Sequence, residues 1–191
     1  MVQAWEPGSL GGRALANILA GKVNPSAKLP ISIPRHSGQI QMIYNHKPSQ
    51  YFHKYIDGPS TPLYPFGFGL SYTRFAYSSL KLSHTRISDK DSFTASIELT
   101  NVGDREGTEV VQLYIRDIYS SATRPVKELK DFARVTLKPG EKKTVTFTVT
   151  PDKLAYWNRN MQYGVEKGEF EIMIGSSSQD KDLKKVKMEV L

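Results

Sequence analysis

The chain has 191 residues, 39% of them hydrophobic and 10% aromatic, which is enough apolar surface for a packed core and excludes wholesale disorder. It holds no cysteine, which excludes disulfides and thiolate chemistry, and no run approaches the ~20 apolar residues that span a bilayer. The 26 Lys and Arg against 19 Asp and Glu give a net charge of +7. These basic residues are spread along the chain, denser only over 116–134 and 181–187. They accompany no zinc-finger, helix-turn-helix or RNA-binding signature, so the charge reads as a solvated surface and not as a nucleic-acid site. The N-terminus shows no basic and apolar leader.

In residues 2–35, Leu10, Ala14, Leu15, Ile18 and Leu19 fall at helical spacing. Ser9 is the expected N-cap, and Gly21 sits where a left-handed terminator belongs. Asn24-Pro25-Ser26 signals a turn, and Leu29 to Ile33 reads as a short strand between Pro30 and Pro34. This is the tail end of an α/β arrangement rather than a whole domain. Gly8, Gly11 and Gly12 lie around the helix start, where free N–H groups suit an anion. Their spacing is neither a P-loop nor a dinucleotide fingerprint, so close helix–sheet packing is the expected reason for them. A lone helix and strand cannot cover both faces. The segment is therefore expected to fold back on its neighbour, pair with another copy, or be poorly ordered.

Residues 36–60 show no sustained period. His36, His46 and His53 have no compact ligand spacing, so no metal site is assigned. Tyr44, Tyr51, Phe52 and Tyr55, with His53 and Asp57 among them, suit either sugar contact or a packed connector. Then comes TPLYPFGFGLSYTRF at 61–75. Its prolines remove donors and favour extended backbone, its glycines permit positive φ, and its aromatics are too many for a flexible linker. We read Tyr64, Phe66, Phe68, Tyr72 and Phe75 as an extended connector that packs domains together.

From Tyr77 onward the period becomes two. Phe93, Ala95, Ile97 and Leu99 share one face; so do Val111, Leu113 and Ile115, then Val145, Phe147 and Val149, then Phe170, Ile172 and Ile174. Asn101-Val102-Gly103-Asp104 and Lys138-Pro139-Gly140-Glu141 are turns, and a last strand is expected around 186–190. Short alternating strands between turns define a mainly β fold, an antiparallel sandwich. Lys142, Lys143, Lys184 and Lys185 fall at strand ends or edges, where charge discourages edge pairing. Four scattered histidines give no Ser-His-Asp order worth assigning, and Glu169 and Glu171 share an outward face as solvated groups.

Three blocks in this order resemble one family. WEPGSLGGRALANILAGKVNPSAKLPISIP, TPLYPFGFGLSYTRF, and the late module with VVQLYIRD, RPVKELKDF and LKPGEKKTVTFTV are similar to the C-terminal part of glycoside hydrolase family 3 β-glucosidases and β-xylosidases. The resemblance covers essentially the whole chain. It implies a remnant of an α/β sandwich domain at 1–35, a connector at 36–76 and a fibronectin type III-like domain at 77–191. It implies a retaining exo-β-glycosidase as the parent, acting on terminal β-glucosyl residues, with an Asp nucleophile on a barrel and a Glu acid/base in the α/β domain. Both motifs lie upstream of the PGSLGG-like block in the family, so no catalytic residue maps here and no cofactor is implied.

The expected partners are the remaining domains of the parent and, through it, a β-glucoside or oligosaccharide. Neither nucleic acid nor membrane is expected, and self-association could run through the exposed N-terminal remnant. Export to the periplasm or outside is what the resemblance implies. Trp5, Tyr51, His53 and Tyr55 are the candidates for proximity to sugar. The alternative is a stand-alone sandwich that binds carbohydrate or protein. Its exposed aromatics would come from Tyr114, Tyr119, Tyr156, Trp157 and Tyr163, of which only Tyr114 has clear outward parity on a strand.

Overall fold

The computed structural model describes residues 2–39, 42–48, 56 and 58–191. Period-two alternation becomes a two-sheet sandwich over 75–190. One sheet is built on β4 (Phe93–Asn101), which pairs antiparallel with β1 (Phe75–Tyr77) and β2 (Lys81–Leu82) along one edge and with β7 (Lys142–Val149) along the other. The second sheet runs β3 (Arg86–Ile87), β11 (Leu183–Val190), β10 (Gly168–Gly175), β5 (Gly107–Asp117) and β6 (Glu128–Leu137). Its pairings are antiparallel except the short β3–β11 contact, which is parallel. A turn of helix, α2 (Pro151–Leu154), leads into a small hairpin of β8 (Tyr156–Trp157) and β9 (Tyr163–Gly164).

The core lies between the sheets. Phe93, Ala95, Ile97, Leu99, Val145, Phe147 and Val149 from one sheet face Val111, Leu113, Ile115, Phe170, Ile172 and Ile174 from the other. Each is an inward position of its alternation, and burying a Val, Leu, Ile or Phe side chain contributes about 1.5–3 kcal/mol. Lys142 and Lys143 stand on β7, which among the described residues pairs only with β4. Lys184 and Lys185 stand where, among the described residues, no strand pairs with the outer edge of β11, since β3 reaches only Glu189 and Val190. Glu169 and Glu171 are ion-paired across the strands, Glu169 with Lys187 at 3.2 Å and Glu171 with Lys185 at 3.9 Å.

The N-terminal part departs from its sequence reading in three places. Helix α1 spans Gly11–Leu19, and its N-cap is Leu10, not Ser9, with no side-chain cap. The turn Gly8–Gly11, closed by the Gly11 N–H donating to the Gly8 carbonyl, starts the helix instead. Gly11 is not small for helix–sheet packing. A Cβ there would lie 2.5 Å from the Pro7 ring, so the constraint is local. Leu29 to Ile33 does not form a strand: it keeps one bridge, Ile33 to Tyr64, and pairs with 61–68 only around Leu29 and Ile33, because Pro30 and Pro34 have no N–H to extend a ladder. Gly21 does adopt the left-handed terminator conformation, with φ +69°. Among the described residues, no helix is long and apolar enough to cross a membrane.

Candidate functional site

Residues 21–33 and 61–75 run side by side and are fastened to the sandwich along β5. The Ile33 N–H donates to the Tyr64 carbonyl at 2.8 Å, the Leu29 N–H to Phe68 at 2.8 Å and the Gly67 N–H to Leu29 at 2.8 Å. Gly67 has φ +77°, and a Cβ there would fall 2.1 Å from Gln112 Oε1, so only glycine fits. Gln112 on β5 uses the space. Its Nε2 donates to the carbonyls of Gly67 at 3.1 Å and Ser176 at 2.7 Å, while its Oε1 accepts from the Tyr114 hydroxyl at 2.5 Å.

Of the connector aromatics, Tyr64, Phe66 and Phe68 pack locally, and only Phe75 reaches the interior core. Phe66 stacks on Tyr44 with ring centroids 4.1 Å apart, and Tyr64 stacks on Phe68 at 5.2 Å. Tyr44 meets Tyr114 edge-on at 6.0 Å. Tyr114 has outward parity yet is 0% exposed, because Tyr44 and Phe66 lie over it together with Met173 and Leu183. The expectation that Tyr114 is an exposed aromatic is therefore corrected: the connector occupies that face. Burial also pushes the Tyr114 hydroxyl far above its ordinary pKa. The Tyr72 hydroxyl donates to the Ile18 carbonyl at 2.8 Å, tying the connector to α1, and Phe75 opens β1 against the core.

Polar groups complete the fastening. Lys28 Nζ lies 2.8 Å from Glu109 on β5. Asn24 donates to the Glu106 carbonyl at 2.9 Å and accepts from the Ser71 hydroxyl and the Tyr72 N–H, both at 2.8 Å. Arg105 donates to the Gly21 carbonyl, and Arg134 donates to the Ser26 hydroxyl at 3.0 Å. The N-terminal segment thus folds back on the sandwich, the first of the three outcomes expected for it. Asn101, read only as a turn residue, is a buried hub. It accepts from Thr73 Oγ1 at 2.7 Å and donates to the carbonyls of Arg105 and Leu137 at 2.8 and 2.9 Å. A run of buried alternation ending in Asn before a turn was the available signal.

Of the sugar-proximal candidates, Trp5 is half exposed with a left-handed backbone, φ +50°. Tyr51, His53 and Tyr55 lie outside the described residues. Apolar side chains of the N-terminal segment stand in solvent, with Leu10 at the N-cap and Leu19 at the end of α1 at 73% and 72% exposure. No group of three metal-ligating side chains occurs among the described residues. At the far end of β5, Asp117 is buried with one carboxylate oxygen unpartnered. Its pKa is pushed up to about 6 by burial, against the pull of Arg124.

A fibronectin-like sandwich bearing a strapped-on helix and connector is the class this geometry defines. The chain matches the Glycosyl hydrolase family 3 C-terminal domain over residues 1–72 and the Fibronectin type III-like domain over residues 109–178. It is 46% identical over 188 residues to a periplasmic beta-glucosidase of Salmonella typhimurium, covering 93% of this chain and 25% of that protein. It is 45% identical over 193 residues to a beta-xylosidase of Formosa agariphila, covering 100% of this chain and 27% of that one. A solved β-glucosidase from Erythrobacter marinus superposes with a TM-score of 0.93 at 44% identity, over 98% of this chain and 25% of that one. The chain belongs to glycoside hydrolase family 3, as its C-terminal region. It spans about a quarter of the length of the relatives it matches.

Proposed function

We propose that this chain is the non-catalytic C-terminal part of a retaining exo-β-glycosidase that releases terminal β-D-glucosyl residues, and that it buttresses the catalytic domains. The observation that carries this reading is the contrast between the contacts that hold the N-terminal segment to the sandwich and the apolar side chains it leaves uncovered. The segment is fastened by Lys28 to Glu109 on β5, by Asn24 to the Glu106 carbonyl and by Arg105 of the sandwich to the Gly21 carbonyl, whereas Leu10, Leu19, Val23 and Ile31 are left in solvent. Apolar side chains left exposed along one short segment mark a surface meant to be covered, and the missing neighbours of an isolated helix are the natural cover. The names of the relatives, beta-glucosidase and beta-xylosidase, supply the reaction class.

The connector aromatics Tyr64, Phe66, Phe68, Tyr72 and Phe75 set the angle at which the sandwich meets that cover. Trp5, Tyr51, His53 and Tyr55 border the sugar pocket of the assembled enzyme, where aromatic faces would lie on sugar C–H faces. Association is tested by titrating the chain with an upstream fragment of a family enzyme and following the complex by sedimentation. A one-to-one complex that Leu10→Ser with Leu19→Ser weakens at least about tenfold is expected. A complex indifferent to both changes would overturn the role of this face.

A further inference from the structure

Arg74, Lys181 and Lys184 line one cavity of about 380 Å³. They come from three places: Arg74 precedes β1, Lys181 lies in the turn Asp180–Asp182, and Lys184 stands on β11. All three are exposed, and among the described residues none of their side chains has a hydrogen bond or an ion pair. Other lysines of β11 differ: Lys185 lies 3.0 Å from Asp180 and Lys187 lies 3.2 Å from Glu169. The two carboxylates that line the cavity are already engaged. Glu109 pairs with Lys28 at 2.8 Å with 7% of its side chain exposed, and Asp182 accepts from the Ser177 hydroxyl at 2.6 Å. Four cations against two carboxylates leave the lining with a net charge of +2. Like charges gathered around a concave wall raise the local potential and draw an anion.

The cavity lies at the seam between the two matched parts of the chain. Gly69, Leu70 and Ser71 line it from the family 3 C-terminal region, while Glu109 and Ser176 line it from the fibronectin-like region. Leu70 is 73% exposed, and two residues on, the Tyr72 hydroxyl holds the Ile18 carbonyl of α1. An exposed apolar side chain beside unpaired charges has the composition of a protein interface, apolar within and polar at its rim. A free ion would leave Leu70 bare, and a neutral glycan would leave the charges unanswered. The relatives supply the occupant: the chain spans about a quarter of their length, and the rest of such an enzyme is a large protein surface.

We propose that the cavity lined by Arg74, Lys181 and Lys184 docks an acidic segment of the upstream domains of the parent glycosidase. A carboxylate enters among the three cations, and the same segment covers Leu70. This deepens the proposed function and rests on its reading of the chain as one part of a larger enzyme. It adds a charged contact to the apolar one made by the N-terminal segment. The two contacts do different work. Charges at a rim act mainly on the rate of encounter and on its salt dependence, whereas apolar contacts act mainly on dissociation.

The test follows association of this chain with the part of the Salmonella typhimurium beta-glucosidase outside its match, by stopped-flow fluorescence. The association rate should fall at least about tenfold between about 50 and 500 mM salt. At low salt, Arg74→Ala with Lys184→Ala should slow association at least about fivefold and leave dissociation within about twofold of the parent. Lys90→Ala with Lys143→Ala removes the same charge elsewhere and should slow association less. Leu10→Ser with Leu19→Ser should act on dissociation instead. All these side chains are exposed, so the variants should melt with the parent, which is checked alongside. A complex that forms equally fast at both salt concentrations, or equally fast with Arg74→Ala and Lys184→Ala, would overturn the docking site and leave the proposed function standing. No complex under any condition would overturn both. A second measurement follows the backbone amides of Arg74, Lys181 and Lys184 by NMR while the chain alone is titrated with hexaglutamate or with inorganic phosphate. Shifts with hexaglutamate that exceed those with phosphate at equal charge are expected. Equal shifts would make the cavity a site for free anions, and no shifts with either would make it no site; each would overturn the proposal.

Discussion

Lys28 Nζ and a Glu109 carboxylate oxygen lie 2.8 Å apart, with 13% and 7% of their side chains exposed. One residue belongs to the N-terminal segment and the other to β5, so the pair joins two parts of the chain far apart in sequence. Removing one partner leaves a buried charge unpaired, which costs about 3–5 kcal/mol. Lys28→Met should therefore lower the urea midpoint strongly. Lys28→Met with Glu109→Leu should recover much of that loss. A single variant as stable as the parent would show that the segment is not fastened here.

Gly67→Ala tests the connector. The new methyl group would meet Gln112 Oε1 at 2.1 Å and the Tyr114 hydroxyl at 3.0 Å on a backbone with φ +77°. Strain of that kind costs about 1–3 kcal/mol, and the Gln112 bonds would be disturbed in addition. Proteolysis between residues 60 and 75 should become faster, while the melting of the strands changes less. Protection equal to the parent would contradict the lock.

Asn101→Ala removes a side chain that satisfies Thr73 and the carbonyls of Arg105 and Leu137 inside the protein. Each buried group left without a partner costs about 1–3 kcal/mol. The expected loss in chemical denaturation is at least about 2 kcal/mol, larger than for the exposed turn residue Asp104→Ala.

The Asp117 carboxyl titrates near 6 in the folded chain because burial disfavours its charge. An unfolded Asp titrates near about 3.9. The folded state therefore holds the proton more tightly. The contribution is fully present below the unfolded value and is lost as pH rises through 6. Thermal scans should show a component of stability falling from pH 4 to 7, and Asp117→Asn should flatten it. Equal slopes for the two proteins would contradict the shift.

The inward positions of the strands were legible because each alternates with polar residues: Phe93 to Leu99, Val111 to Ile115 and Phe170 to Ile174 all face the core. The other face was not. Gln112, Tyr114 and Met173 occupy outward positions and are buried, because Tyr44 and Phe66 arrive from far away in sequence to cover them. Parity reports which side a residue faces, not what lies on that side. Leu29 to Ile33 has the composition of a strand, but Pro30 and Pro34 lack the N–H groups that would extend its pairing with 61–68 beyond one bridge. The family blocks were legible from residue types alone, whereas the Lys28–Glu109 and Asn101 contacts depend on tertiary geometry that no local pattern encodes.

The central claim is that this chain supports catalysis without performing it. Hydrolysis of a chromogenic β-glucoside and β-xyloside should be measured for the purified chain, alone and mixed with a barrel-containing fragment of a family enzyme. No hydrolysis alone and hydrolysis on mixing is the predicted result. Hydrolysis by the chain alone would contradict the account and make carboxylates such as Glu169 or Glu171 catalytic.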